Sequence, residues 1–179
     1  MNQTKTSEDI TAKYAARTNP ARVEGMKTLG LGFSVDKVEG ARVFDTEGKS
    51  YIDCFCDGGQ LVLGHRRPEI VEALRTALKE LDLGNFPMIS AQKAALAKLI
   101  SEITPGDLKV TVFGVSRGES NDFAMKLARG FTGRKDIVCL EGGHHGETGF
   151  ALSASDDAEK TKLFGPMIPN MKRVALNPD

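Results

Sequence analysis

Residues 108–146 read LKVTVFGVSRGESNDFAMKLARGFTGRKDIVCLEGGHHG, and the fold is decided here. The β-rich run 108–113 predicts a strand that meets a turn holding Gly114, Ser116 and Gly118. A helix is predicted next, with Phe123, Ala124, Leu127, Ala128 and Phe131 at the spacing of one buried face. A second apolar run, 137–140, leads into Gly142, Gly143 and Gly146. Strand, glycine turn and helix in that order make an anion site, because the first amides of a helix lack intrahelical partners and sit at the positive end of its dipole. The stretch therefore reads as a phosphate cradle; the plainer alternative for 116–118 is an ordinary strand-to-helix turn. Glu119 and Asp122 fall in the first helical turn, where dipole complementation and capping account for them. Lys126 and Arg129 read as the solvated face of the same helix.

Downstream, 153–157 is polar, 157–164 predicts a short helix, and Gly165-Pro166 and Pro169-Asn170 mark turns before a last strand at 173–176. The order strand, helix, strand, partial helix, strand implies an α/β layered domain with parallel pairing. The alternation stops just as it is established, so the chain reads as cut off. Upstream, Ser7 is expected to cap a helix through Ala16 with Ile10, Tyr14 and Ala15 facing inward, followed by a winding lead-in over 18–35. Residues 41–45 and 50–53 flank Thr46-Glu47-Gly48-Lys49, a hairpin whose glycine suits a positive φ. Residues 57–65 predict a flexible passage. Pro68 opens a helix to about Leu81 with Ile70, Ala73, Leu74, Ala77, Leu78 and Leu81 on one stripe, ended by Gly84, Asn85 and Pro87. Ser90 starts another, to about Ile103, with Leu96, Leu99, Ile100 and Ile103 inside, stopped at 104–107.

Composition narrows the class. With 179 residues and 40% hydrophobic content, the chain suits one core-bearing domain. Lys+Arg and Asp+Glu are both 24, so no net field draws it to nucleic acid or a membrane surface. No apolar run is long enough to span a bilayer, and the polar N-terminus carries no apolar signal core. The odd count of 3 cysteines points to reduced thiols in the cytoplasm. Cys54 and Cys56, alternating about Phe55, read as small packing residues on a strand, and His65 as a structural loop histidine. His144 and His145 with these cysteines or Cys139 match no standard zinc spacing, so no metal site is assigned.

These pieces together resemble one family, the class III aminotransferases, pyridoxal-phosphate enzymes of the aspartate-aminotransferase fold. VFDTEGKSYID (43–53) is similar to the family's opening hairpin, and LGHRRP (63–68) to its Gly-His-x-x-Pro approach to the first long helix. TPGDLK (104–109) and the helix over 119–129 fit as well. GHHGET (143–148) resembles the aromatic-His-Gly-x-Thr turn, and FGPMIP (164–169) continues it. Ornithine and putrescine aminotransferases are the members it most resembles. Single motifs are weak, but the ordered set is specific.

The resemblance implies a partial three-layer α/β/α large domain over 67–179, preceded over 1–66 by an N-terminal helix and a small-domain hairpin. It implies that the amides of Ser116-Arg117-Gly118 hold the cofactor phosphate, that His144 stacks on the pyridine ring, and that His145 and Gly146 complete that turn. Departures are evident: Arg117 stands where the family has glycine, Val115 where a polar residue is common, and His144 where Tyr or Phe is usual. Arg117 either offers its guanidinium to the phosphate or fills the cradle. In the family, the Schiff-base lysine and the acidic partner of the pyridine nitrogen lie beyond the part matched here, and no lysine of 1–179 matches that motif. No catalytic residue is therefore assigned, and activity is not expected without the missing half. The whole enzyme would move an amino group from a diamine, ornithine-like or other amine donor to a 2-oxo acid, as a homodimer or with a complementary C-terminal half. The alternative is a non-catalytic remnant acting as an assembly subunit, with itself or an intact aminotransferase. In the family, the strands matching 108–113 and 137–140 are not neighbours, so sheet edges and apolar faces of this chain would stand open.

Overall fold

The computed structural model describes residues 6–81 and 88–176, which fall into two compact units, one before residue 87 and one from it. The first unit opens with α1 (Ser7–Arg17) and α2 (Pro20–Thr28). Thr6, not Ser7, caps α1: Thr6 has the extended backbone a cap needs, and its hydroxyl accepts the Asp9 N–H. Ser7 instead accepts the Ser34 N–H through its Oγ, 3.1 Å away. Ile10 and Ala15 are half-buried, but Tyr14 faces solvent. The winding lead-in expected over 18–35 contains a helix, because Asn19 caps it by accepting the Arg22 N–H and Pro20 occupies its first turn, where no amide is missed.

The hairpin arms form β2 (Arg42–Asp45) and β3 (Ser50–Ile52), and an unexpected β1 (Val35–Glu39) makes a three-stranded antiparallel meander in the order β1-β2-β3. Gly48 has φ 83°, as the turn requires. Asp45 organises that turn: its carboxylate accepts the Glu47 and Lys49 N–H groups and the Tyr51 hydroxyl. Burial pushes this carboxyl up, but those donors hold it below its ordinary value.

β3 stops at Ile52, so Cys54 and Cys56 do not alternate along a strand. Cys54 is exposed and Cys56 has φ 50°, inside a short turn, α3 (Cys56–Gly59). The passage over 57–65 is fastened at its end: Gly40 and His65 exchange backbone hydrogen bonds of 3.0 and 2.7 Å, and His65 Nε2 lies 2.7 Å from Asp53 Oδ2. α4 (Pro68–Ala77) starts at Pro68, and turn hydrogen bonds continue to Leu81. Its expected stripe is uncovered, with Ile70, Leu74, Leu78 and Leu81 exposed. The expected helix end at Gly84, Asn85 and Pro87 lies outside the described residues.

The second unit begins with α5 (Ala91–Ile103), capped by Ser90 and closed at Thr104. Of its expected interior only Ile100 is half-buried; Leu96, Leu99 and Ile103 are exposed. Residues 108–113 form no strand, and Val110 is 91% exposed. A strand exists by pairing, and among the described residues none pairs with this one. After α6 (Arg117–Thr132), β4 (Ile137–Leu140) pairs in parallel with β5 (Met171–Val174), Ile137 opposite Met171 and Leu140 opposite Val174. The parallel pairing implied by the alternation is thus present, although β5 precedes the expected 173–176. Its crossover carries α7 (Gly149–Ala154) and α8 (Ala158–Phe164), the latter capped by Asp157. Residues 153–155, expected to be a polar connection, are buried with Ala151 and Leu152. Their hydroxyls are satisfied: Ser153 Oγ donates to the Gly149 carbonyl and accepts the Ile168 N–H.

Candidate cofactor site

Ser116 is the cap of α6. Its hydroxyl accepts the Glu119 N–H at 3.1 Å, while the Glu119 carboxylate reaches back to the Val115 N–H at 2.6 Å. This is the reciprocal logic of a Ser-x-x-Glu capping box, displaced one residue on the return side. Arg117 and Ser116 are exposed, whereas Gly118 is buried. A methyl group at Gly118 would lie 2.8 Å from Thr148 Oγ1, and one at Gly146 would lie 2.7 Å from the Gly118 Cα. Gly146 also has φ 131°, a conformation side chains resist. The glycine turns around 118 and 146, distant in sequence, are therefore pressed together at van der Waals range.

The second turn is held from several sides. Asn121 Nδ2 donates to the His145 carbonyl at 2.6 Å, and the His145 N–H donates to Ser155 Oγ at 2.9 Å. Gly142 N–H donates to Asp156 Oδ2, and Asp156 N–H to the Gly143 carbonyl. Arg173 donates to the Ser155 carbonyl at 2.7 Å and tethers this corner to β5. The His145 Nε2 is enclosed with no hydrogen-bond partner among the described residues. The His144 side chain is exposed, and the Glu147 and Asp157 carboxyls are joined to each other through a lysine. Lys160 bridges those two groups at 2.7 and 3.3 Å. Its hydrogen bond holds Glu147 below the usual carboxylate range, and Glu147 in turn pushes the Lys160 ammonium up.

Three sequence expectations for α6 are corrected. Its predicted buried stripe points outward, with Phe123, Leu127 and Phe131 exposed, while the face bearing Asn121, Asp122, Met125 and Arg129 is the half-buried one. Against α7 this face presents the Asp122 carboxylate, which accepts a backbone N–H there, a contact that periodicity cannot register. Asp122 does not cap α6; its Oδ1 accepts the Ala151 N–H at 2.7 Å, supplying the cap that Thr148 does not give α7. Arg129 is not merely solvated: it donates to the Pro169 carbonyl and lies 5.0 Å from the Phe150 ring. Lys126 is exposed, as expected. Asn121, Ser155 and Arg173 escaped the sequence reading because no spacing marks a side chain that bonds to another segment's backbone.

Among the described residues no three His, Cys, Asp or Glu side chains gather to hold a metal ion, and no helix is long and apolar enough to cross a membrane.

Residues 26–179 match the family described as aminotransferase class-III. The chain is 45% identical over 166 residues to an uncharacterized aminotransferase of Archaeoglobus fulgidus, covering 93% of this chain and 39% of that protein. It is 40% identical over 136 residues to an acetylornithine aminotransferase of Methanopyrus kandleri, covering 76% of this chain and 35% of that one. Its fold superposes on the taurine:2-oxoglutarate aminotransferase of Bifidobacterium kashiwanohense, solved with pyridoxal phosphate and glutamate, with TM-score 0.80 at 26% identity, over 99% of this chain and 39% of that one. The chain belongs to the class III aminotransferase family, and its structure is that of a part of the aminotransferase fold. It spans about two fifths of the length of these relatives.

Family membership implies dependence on pyridoxal phosphate, and the residues at the two turns fit such a group. A sixteen-residue helix, a cap hydroxyl still able to donate its own proton, and an exposed guanidinium form a donor set for a phosphate ester. The neighbouring turn carries an exposed imidazole with a flat face for a ring.

Proposed function

We propose that this chain supplies the phosphate grip and the ring platform of an aminotransferase that moves an amino group from a diamine, ornithine-like or other amine donor to a 2-oxo acid. Ser116, Arg117 and Gly118 hold the phosphate, His144 stacks on the pyridine, and His145 completes that turn. Bound pyridoxal phosphate supplies the electron sink of the reaction. The residues of this chain bind and orient it; no lysine among 1–179 is assigned to the reacting amine. The observation that carries the reading is the contact between the Gly118 and Gly146 turns, which sets the first turn of α6 beside the histidine turn. The acetylornithine aminotransferase relative supports an ornithine-like donor. We divide the chain functionally into a small-domain part, 1–66, and a cofactor-binding part, 67–179. The working form is a cytoplasmic homodimer or a complex with a complementary C-terminal half.

A second reading, a non-catalytic assembly subunit, is favoured by the exposed apolar residues of α4, α5 and α6. One assay separates the two. The purified chain is mixed with a polypeptide spanning the remainder of a relative, and amine donors are offered with 2-oxoglutarate. Transamination by the mixture and not by either part supports the aminotransferase reading; a stable complex that neither binds pyridoxal phosphate nor transaminates supports the assembly subunit.

A further inference from the structure

Both peptide units that flank the His145 Cα are held by side chains rather than by a regular ladder. The His145 N–H donates to Ser155 Oγ at 2.9 Å, and the His145 carbonyl accepts from Asn121 Nδ2 at 2.6 Å. The first peptide is the one that carries His144, so its plane fixes where that imidazole starts. Ser155 is 1% exposed, and its hydroxyl completes its bonding by donating to the Ala151 carbonyl at 2.8 Å. Asn121 lies on the helix whose first turn is Ser116 to Gly118, five residues after the cap. A serine in the buried floor and an asparagine on the helix thus clamp one turn between them.

We propose that Asn121 and Ser155 are positioning residues that set the gap between the first turn of α6 and the histidine turn, and so where a cofactor's ring lies relative to its phosphate. The inference rests on the assignment of those two turns to phosphate and ring. A ligand that spans both turns feels the gap; an anion that occupies only the helix end does not. Asn121 suits the task because it is neutral and donates: leucine has its bulk without the N–H, so the His145 carbonyl loses its donor and the turn is released.

The test uses the full chain and the variants Asn121→Leu, Asn121→Ala and Ser155→Ala, with Lys126→Ala as the exposed control on the same helix. Binding of pyridoxal phosphate and, separately, of inorganic phosphate is measured by equilibrium dialysis, with circular-dichroism melting on each sample. Loss of one clamping bond is expected to weaken pyridoxal phosphate about tenfold in the Asn121 and Ser155 variants and to leave inorganic phosphate within about twofold. Lys126→Ala changes neither. Equal weakening of both ligands, or of neither, in variants that melt like the parent overturns the inference alone. Loss of both ligands with the folded signal, in both Asn121 variants, assigns the side chain to folding and overturns it too. A parent chain that binds inorganic phosphate but not pyridoxal phosphate defeats the ring-platform reading, and this inference with it.

Discussion

Asp53 satisfies three donors at once. Its Oδ1 accepts the Phe55 and Cys56 N–H groups and its Oδ2 faces His65 Nε2, so one carboxylate closes the end of β3 and pins the loop that returns to Gly40. The His65 hydrogen bond, with those two amides, holds the Asp53 carboxyl below its ordinary value of 3.8. A carboxyl whose pKa is lower folded than unfolded contributes stability that is fully present above 3.8 and is lost as pH falls through the folded value. Asp53→Asn is therefore expected to lower the melting temperature near neutrality, with the difference from the parent shrinking as pH drops below 3.8, read by thermal melts across acid buffers. A difference that stays constant with pH would contradict the account. The glycines give a second prediction at this scale. Gly146→Ala combines a φ of 131° with a methyl 2.7 Å from the Gly118 Cα and is expected to destabilise by about 1–3 kcal/mol. Gly130→Ala, on α6 with nothing within 4 Å, is expected to stabilise by about 0.5–1 kcal/mol. Urea unfolding of the two variants checks both signs. Single residues were legible where the signal is local: the Ser116 and Glu119 pair shows as Ser-x-x-Glu, and Gly48 as a hairpin glycine. Asn121, Ser155 and Arg173 act on backbone groups 24, 10 and 18 residues away, and no local pattern encodes that.

At the scale of elements, the apolar spacing of α6 marks a helix but not the side of it that is buried. Periodicity reports that a stripe exists, not which neighbour is present to cover it. The same reason removes the strand at 108–113, whose amides meet no partner among the described residues. α2 and β1 were missed for different reasons. Pro20 and Gly25 read as breakers although Asn19 and Pro20 form a good helix start, and 35–39 alternates too weakly to announce a strand. Phe131 is 90% exposed, so Phe131→Glu is expected to change folding stability by no more than about 0.5 kcal/mol while reducing self-association and binding of an apolar dye. Sedimentation velocity and dye fluorescence read the outcome. A loss of about 2 kcal/mol or more would show that this face is packed within the chain.

For the whole molecule, the order of motifs carried more than any one of them. Hairpin, Gly-His-x-x-Pro, capped helix and histidine turn follow one another as in the aminotransferases, and the superposition on an enzyme of that class covers 99% of this chain. What the order did not reveal is the means by which the two turns meet: Gly118 against Gly146, and side chains of α6 on the backbone of another segment. The central claim is that these residues grip and orient pyridoxal phosphate without contributing its reactive amine. Its most direct measurement is titration of the purified chain with pyridoxal phosphate, followed by borohydride reduction and peptide mapping. The account predicts saturable binding that inorganic phosphate competes away, with no single lysine labelled in stoichiometric yield. One lysine of this chain reduced stoichiometrically, or no binding at all, would contradict it.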